Sequence, residues 1–489
     1  MADEKKNIAN KATGGLFWTF MERFCAEAVS FVVSIILARL LLPDDYGAVA
    51  MVQVFISLAN TFVSSGLGTS LVQKKNADNI DFSSAFYFNI AFSLCLYSIL
   101  FIIAPFVANF YDMPVLRPVL RVLGIRIILA SINSIQQAYV AKHMMFKKFF
   151  WATFIGTAGA ALIGILLAYG GFGVWALVAQ YLFNATVDTI VLWFTVKWRP
   201  DFVFQWNRLK RLINFGWKVL ANSLVITLYD NLRSLIIGKK YSSSDLGFYT
   251  KGTSFPKLIV NNINTAVGKV LLPTLSLLQD DYISFKQAMR RAIRTSSFIM
   301  LPLMMGLFTI APHIVSLLLT DKWLPCVPYL RIACIYFAFF PITTVDNQAL
   351  NAVGKSGIAL KLTFVKRGIG IVLILISMNI GIWALAFTDV IVTLLALIIG
   401  GYSNRIFFKY NIKEQLLDLG TSFFGAIIMS VGIGVVDHFI CQIISSNVII
   451  IISDVIVGGV IYCVCSFTFN RDDTMYVWKR LRNFRRVIS

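Results

Sequence analysis

Apolar runs of about 20 residues recur along almost the whole chain. Roughly fourteen can be marked, beginning near Gly14, Tyr46, Ser84, Arg117, Phe150, Gly173, Asn214, Gly247, Thr295, Tyr329, Ala359, Gly381, Leu416 and Asn447. An α-helix rises 1.5 Å per residue, so about 20 apolar residues match the roughly 30 Å hydrocarbon core of a bilayer. Only 14% of the 489 residues are charged and 58% are hydrophobic, where a soluble domain carries about 25% charged residues. A water-soluble fold is excluded, because too few charges exist to coat several cores. The expected fold is all-α and polytopic, with each span satisfying its own backbone hydrogen bonds.

The net charge of +20 does not require nucleic acid, because Lys and Arg fall into every second connection. Basic connections lie near Lys74-Lys75, Lys142/Lys147/Lys148, Lys197 to Arg211, Lys286 to Arg294, Lys355/Lys361 and Arg405/Lys409/Lys413, and both termini are basic. The intervening connections are nearly free of basic residues, with Lys239-Lys240 and Lys322 as exceptions. The positive-inside rule then places both termini in the cytoplasm. No connection exceeds about 20 residues, too short for a separate soluble domain of roughly 50, so function is expected inside the helical bundle. The polar N-terminus and a first run holding Glu22, Arg23 and Glu27 do not read as a cleaved signal. In the tail, Val477, Leu481, Phe484 and Ile488 share a helical face among basic residues, the pattern of an interfacial helix on anionic lipid.

The segment from Ile36 repeats at Ile236: Asp45 aligns with Asp245, Gly47 with Gly247, Phe55 with Phe255 and Gly68 with Gly268. Gln137-Ala138 and Ala141 match Gln348-Ala349 and Ala352. Six spans therefore repeat once, in parallel, as in transporters that rock two lobes about a central site. This predicts a cytoplasmic N-terminus at 1–13, an N-lobe of spans one to six at 14–200, a C-lobe of spans seven to twelve at 201–415, two extra spans at 416–470 and a basic cytoplasmic tail at 471–489.

Polar residues inside the spans fall on single faces. Arg23, Glu27, Ser30 and Ser34 form one stripe, answered by Ser223, Thr227, Asp230 and Ser234; Gln53, Ser57, Asn60/Thr61 and Ser64 form another, answered by Thr253, Lys257, Asn261 and Asn264. Such faces line a cavity or a polar helix interface, since one central Arg or Asp facing acyl chains costs at least ~2.5 kcal/mol. The hydroxyl and amide residues also suit interhelical hydrogen bonding without transport. Arg126, Arg233, Arg367, Asp346 and Asp389 add intramembrane charge, and Arg126 and Arg367 have no acid one helical turn away. Arg126 falls about 13 Å into its span from Arg117. Excess positive charge in a low-dielectric cavity concentrates an anion, and Lys269 can add to that field. Glu27 and Asp230, at repeat-equivalent places, are candidates for binding H⁺ or Na⁺; pairing with Arg23 and Arg233 is the purely structural use of the same acids.

The stretch Ala38 to Lys75, reading ARLLLPDDYGAVAMVQVFISLANTFVSSGLGTSLVQKK, and the stretch Gln136 to Lys148, reading QQAYVAKHMMFKK, resemble Wzx-type flippases. These form the polysaccharide-transporter branch of the multidrug/oligosaccharidyl-lipid/polysaccharide exporter superfamily, and the colanic-acid exporter subgroup is the most similar. The resemblance implies two six-helix lobes around a central cavity. It also implies an undecaprenyl-pyrophosphate-linked oligosaccharide moved from the cytoplasmic to the outer leaflet of a bacterial inner membrane, and polysaccharide polymerase machinery as a further partner. The residues fit the substrate that the resemblance implies: Arg23, Arg126, Arg233, Arg367 and Lys269 would hold its pyrophosphate, Gln53, Asn60 and Asn264 would bond its sugar, and Glu27 and Asp230 would couple the ion. Beyond such an ion no cofactor is expected; nucleic acid is not a partner, and a monomer is.

Two other functions fit a polytopic chain. An ion-coupled multidrug antiporter for cationic drugs calls for an acidic cavity, against the interior arginines. A membrane polysaccharide polymerase or ligase calls for a long external loop or an acid/base cluster, and neither is evident. The seven cysteines show no Cys-x-x-Cys spacing, and His143, His313 and His438 fit no ligand spacing, so no metal site or disulfide framework is expected.

Overall fold

The computed structural model describes residues 25–143, 145, 147–444, 446–471 and 473–475. Arg23, the predicted cytoplasmic N-terminus at 1–13 and the tail residues Val477, Leu481, Phe484 and Ile488 lie outside these. The described residues include the α-helices α1 (25–40), α2 (Pro43–Ser64), α3 (Leu67–Gln73), α4 (Asn79–Phe110), α5 (Leu116–Lys142), α6 (Lys147–Tyr169), α7 (Val174–Thr195), α8 (Trp206–Lys240), α9 (Ser243–Leu277), α10 (Tyr282–Leu319), α11 (Val327–Phe337), α12 (Phe340–Ala352), α13 (Ser356–Ser377), α14 (Ile382–Phe408), α15 (Ile412–Ile443) and α16 (Asn447–Phe469), and residues 471 and 473–475 are helical as well. A 3₁₀ turn, Asp321–Cys326, precedes α11.

As far as their residues are described, the fourteen apolar runs fall on helices or, for α2/α3 and α11/α12, on broken pairs; the first run is described only from residue 25. Ten of the described segments are long and apolar enough to cross a membrane, eleven if α8, bent by 48° between Asn214 and Gly216, is counted. The shortfall from fourteen has a physical cause. The helix α9 carries Asn261, Asn262, Asn264 and three lysines, α13 carries Lys361, Lys366 and Arg367, and α1 is described only from residue 25. Pro256 and Pro273 do not break α9. Large apolar side chains such as Phe106, Leu166, Val431 and Val464 are more than half exposed, a surface that lipid must cover.

The chain forms two compact units, Met1–Gly247 and Phe248–Ser489. In the first, α4 packs on α5, α6 on α7, and α5 on both α2 and α7, while α8 packs on α2 and α3. Its core gathers Leu71, Phe82, Phe86, Ile135, Leu192 and Trp198. In the second, α10 packs on α11 and α15, α15 on α16, and α14 on α11, α12 and α13.

Helix starts are set locally. Asp45 accepts the Leu42 amide at 3.0 Å, and its repeat partner Asp245 accepts the Ser242 amide at 3.2 Å. Both are N3 residues reaching back to the cap. Two residues on, Gly47 and Gly247 make reciprocal close approaches within the first unit. A Cβ on Gly47 would lie 1.9 Å from the Ser243 carbonyl oxygen, and one on Gly247 would lie 2.2 Å from that of Pro43. The Ser243 hydroxyl donates to the Asp44 carbonyl at 2.9 Å. The residues that the repeat equates thus perform the same two tasks, capping a helix and letting its partner's backbone approach.

Candidate functional site

In the first unit, α2 and α5 carry polar residues in matching register. Arg126 Nη1 donates to Gln53 Oε1 at 3.3 Å, and the guanidinium carbon lies 5.2 Å from the centre of the Tyr181 ring on α7. Seven residues further along each helix stand Asn60 and Asn133, and eleven residues further stand Ser64 and Gln137. Those spacings keep one face of each helix. Ser64 and Gln137 both line a cavity of about 400 Å³, with Gly68, Thr69, Gln73 and Ser134. The result is a polar track from Gln53/Arg126 to that cavity, about 16 Å along either helix.

The track is not internally satisfied. Gln53 Nε2, Asn60 Oδ1, Arg126 Nε, Asn133 Oδ1 and both polar atoms of the Gln136 amide are buried with no hydrogen-bond partner among the described residues. Asn133 Nδ2 donates to Asp188 Oδ2 on α7 at 2.8 Å. The hydroxyls behave differently. Ser57, Thr61 and Ser64 donate to carbonyls three or four residues back on their own helix, and Thr61 meets Thr227 of α8 at 3.0 Å. Hydroxyls of the stripes therefore act as helix glue, while amides and the guanidinium keep unused hydrogen-bonding capacity, which costs free energy in a native protein unless a ligand or water takes it up.

Of the other predicted residues, Glu27 is half-buried on α1 and Asp230 is exposed on α8. Arg233, one turn after Asp230, is 5% exposed, with its guanidinium 5.7 Å from the centre of the Tyr229 ring. In the second unit, Arg367 is half-buried on α13 and Lys269 is exposed on α9. Asn264 keeps a buried Oδ1 without a partner. A Cβ on Gly268 would lie 3.2 Å from Gln348 Nε2, as Gly68 and Gln137 share a cavity wall in the first unit.

Three groupings needed the fold to be seen. Tyr181 and Asp188 join the track from α7, a helix whose contact with α5 the sequence does not show. In the second unit Asp346 is 3% exposed; Asn404 Nδ2 donates to its Oδ1 at 2.6 Å, and its Oδ2 has no hydrogen-bond partner among the described residues. Gly400 admits that carboxylate, since a Cβ there would lie 2.4 Å from Oδ2. Finally, ionic knots tie the helix ends. Asp78 and Asp81 form a capping box on α4, with Lys74 on Asp81 and Arg208 on Asp78. Arg290 grips Asp418 in two bonds of 2.7 Å, joined by Arg294 Nε at 2.8 Å and the Tyr410 hydroxyl at 2.7 Å.

The profile of a family described as polysaccharide biosynthesis protein matches residues 36–328. The chain is similar to the succinoglycan biosynthesis transport protein ExoT of Rhizobium meliloti (strain 1021), 25% identical over 350 residues that cover 72% of this chain and 71% of that one. It is also similar to the lipopolysaccharide biosynthesis protein WzxC of Escherichia coli (strain K12), 20% identical over 368 residues, 74% of each chain. Among solved structures, the lipid II flippase MurJ in an inward closed conformation superposes with a TM-score of 0.76 at 14% identity, over 94% of this chain and 99% of that one. An inward-facing MATE family multidrug resistance transporter gives 0.63 at 15% identity, over 80% and 96%. At these identities the structural likeness shows the fold alone, a fold that carries both flippases and drug transporters.

Proposed function

This chain belongs to the polysaccharide biosynthesis protein family, a premise from which we propose that it is a flippase moving undecaprenyl-pyrophosphate-linked oligosaccharide from the cytoplasmic to the outer leaflet for surface polysaccharide synthesis. The observation that carries this reading is the α2/α5 track, a guanidinium followed by buried, unpartnered amides. A guanidinium fork matches phosphate oxygens. Amide groups donate to and accept from sugar hydroxyls. A cationic drug would find Arg126 repulsive, which disfavours the antiporter reading.

Arg126 is assigned to the pyrophosphate and Gln53 and Asn60 to the sugar. Arg23, Arg233, Arg367 and Lys269 are assigned as further cations for the substrate, Asn264 as a further amide, and Glu27 and Asp230 as sites for a coupled H⁺ or Na⁺. The protein works by alternating access, as a monomer in a bacterial inner membrane with both termini cytoplasmic, handing its cargo to polymerase machinery. The repeat halves are 14–200 and 201–415, with 416–470 added; the first compact unit runs past that boundary because α8 packs on α2 and α3.

Lipid extracts of a deletion strain, analysed by mass spectrometry, test the reading. The expected result is accumulation of a lipid-linked oligosaccharide that is cleared by the wild-type gene and not by Arg126→Ala. An unchanged lipid pool with normal surface polymer would overturn it.

A further inference from the structure

Where the C-terminal ends of α10 and α15 meet the start of α16, three side chains of different ligand type converge. His313 Nε2 lies 2.9 Å from Asp437 Oδ1. Cys441 Sγ lies 3.2 Å from the same oxygen and 3.6 Å from His313 Nε2. Asp437 and Cys441 are one turn apart on α15, so a single helix face presents both. In a tetrahedral zinc site, bonds of about 2.0 Å to nitrogen and oxygen and about 2.3 Å to sulfur place N and O about 3.3 Å apart and S about 3.5 Å from either. The three separations here depart from those values by no more than about 0.4 Å.

The surroundings fix the imidazole for ligation. Asn447 Nδ2 donates to Ser316 Oγ at 3.1 Å, which turns its Oδ1 toward His313 Nδ1, 3.1 Å away. An amide oxygen only accepts, so Nδ1 carries the proton. In the neutral ring the Nε2 lone pair then faces the carboxylate of Asp437, an arrangement that either a second ring proton or a metal cation between the two relieves. A carbonyl-type acceptor on the far nitrogen is the usual orienting partner of a metal-bound histidine. The local charge also asks for a cation. Asp454 on α16 is fully buried, neither carboxylate oxygen has a hydrogen-bond partner among the described residues, and it lies within electrostatic reach of Asp437, His313 and Cys441.

We propose that His313, Asp437 and Cys441 form a binding site for a divalent transition cation of the Zn²⁺ class. Nε2, Oδ1 and Sγ are the ligands, a water completes the shell, and the nearby Asp454 carboxylate adds negative charge to the site. Binding releases the Cys441 thiol proton to solvent and leaves a thiolate–metal bond. The cation joins α10 to α15 directly and to α16 through Asn447, tying together three helices at one end of the second unit.

The test uses the full-length chain in detergent, stripped with EDTA and titrated with Co²⁺, then with Zn²⁺ as competitor. One Co²⁺ per chain is expected, with the visible bands of a tetrahedral ion and a near-ultraviolet thiolate charge-transfer band, both erased by Zn²⁺. Cys441→Ser should remove the charge-transfer band, and Asp437→Asn and His313→Ala should weaken binding at least tenfold. Cys95→Ser, at an exposed cysteine elsewhere, should change nothing. Cys441→Ser replaces an exposed thiol by a hydroxyl and keeps the test decisive should a His313 variant fail to fold. No tetrahedral cobalt spectrum in the wild type, or an undiminished one in Cys441→Ser, overturns the proposal.

Discussion

Arg126 is the residue on which the transport reading is most exposed to test. Its Nη1 is held by Gln53, its face is on Tyr181, and its Nε has no partner, so a phosphate can bind without first breaking an ion pair. A charge-assisted hydrogen bond contributes about 1.5–3 kcal/mol, so Arg126→Ala should slow flipping by roughly tenfold to a hundredfold. Arg126→Lys should recover part of the rate, since charge remains and the fork is lost. Initial rates with a fluorescent lipid-linked oligosaccharide in proteoliposomes would measure this. Wild-type rates in Arg126→Ala would remove the arginine from the site. Much of the track was legible in sequence, because Gln53, Asn60 and Arg126 violate the apolar pattern of their own spans. Asn133 and Asp188 also break the apolar pattern of their spans, but nothing in that pattern shows that they and Tyr181 belong to the same site. Their part comes from α7 packing on α5, an adjacency that helical periodicity does not encode. The same limit hid His313, whose neighbours lie on a helix more than a hundred residues later, although Asp437 and Cys441 already stood one turn apart.

At the scale of elements, the apolar runs gave the helices but not their ends. The helix α10 starts at Tyr282, well before the apolar run near Thr295, because its first turns are amphipathic and amarrage to Asp418 and Glu414 uses Lys286, Arg290 and Arg294. Asp418 is wholly buried beneath two arginines. Asp418→Ala leaves Arg290 and Arg294 without their acid, but both are 38% exposed, so water takes up part of the charge and the cost falls below the roughly 3–5 kcal/mol of a fully buried pair; the thermal midpoint in detergent and the folded yield should both still fall. A variant as stable as wild type would show that solvent already satisfies the arginines. The corresponding knot of the first unit is more exposed and should matter through pH. The hydrogen bond from Arg208 holds the Asp78 carboxyl down from 3.8 to about 2. A depressed carboxyl contributes stability that is present above its unfolded value and lost as pH falls through the folded one, so the clamp should weaken only between about pH 4 and pH 2. In Arg208→Ala the folded and unfolded values draw together, so this acid-dependent loss should largely disappear and the clamp should already be weak at neutral pH. Asp78 is half exposed, so the effect on global stability is small; hydrogen exchange of residues 196–205 across that pH range is the measurement that resolves it.

For the whole molecule, the repeat ties sequence to transport most directly. The ion-coupling assignment predicts that Glu27→Gln or Asp230→Asn slows flipping driven by an imposed pH or Na⁺ gradient while substrate binding persists; rates indifferent to both gradients and both substitutions would leave the acids a structural role. The crossing of the starts of α2 and α9 yields a second prediction, one that does not depend on the identity of the ion. Gly47 and Gly247 are matched by the repeat, and each faces a carbonyl oxygen of the opposite strand of chain closer than any Cβ could stand. Such a contact is made of backbone, so a side chain at either glycine cannot be absorbed by a rotamer change, and the crossing itself must open. Alternating access requires the two ends of a transporter to open and close in turn. Were this crossing one that closes in the cycle, Gly47→Ala and Gly247→Ala would each hold it apart. Cysteines placed at Asp44 and Ser243, whose backbone and hydroxyl are 2.9 Å apart, should cross-link readily in the otherwise wild-type chain and poorly with either alanine. Flipping should fall in parallel, by more than expression does. Efficient cross-linking in Gly47→Ala would mean that α2 and α9 shift together and keep contact, and the glycines would then serve packing rather than the transport cycle.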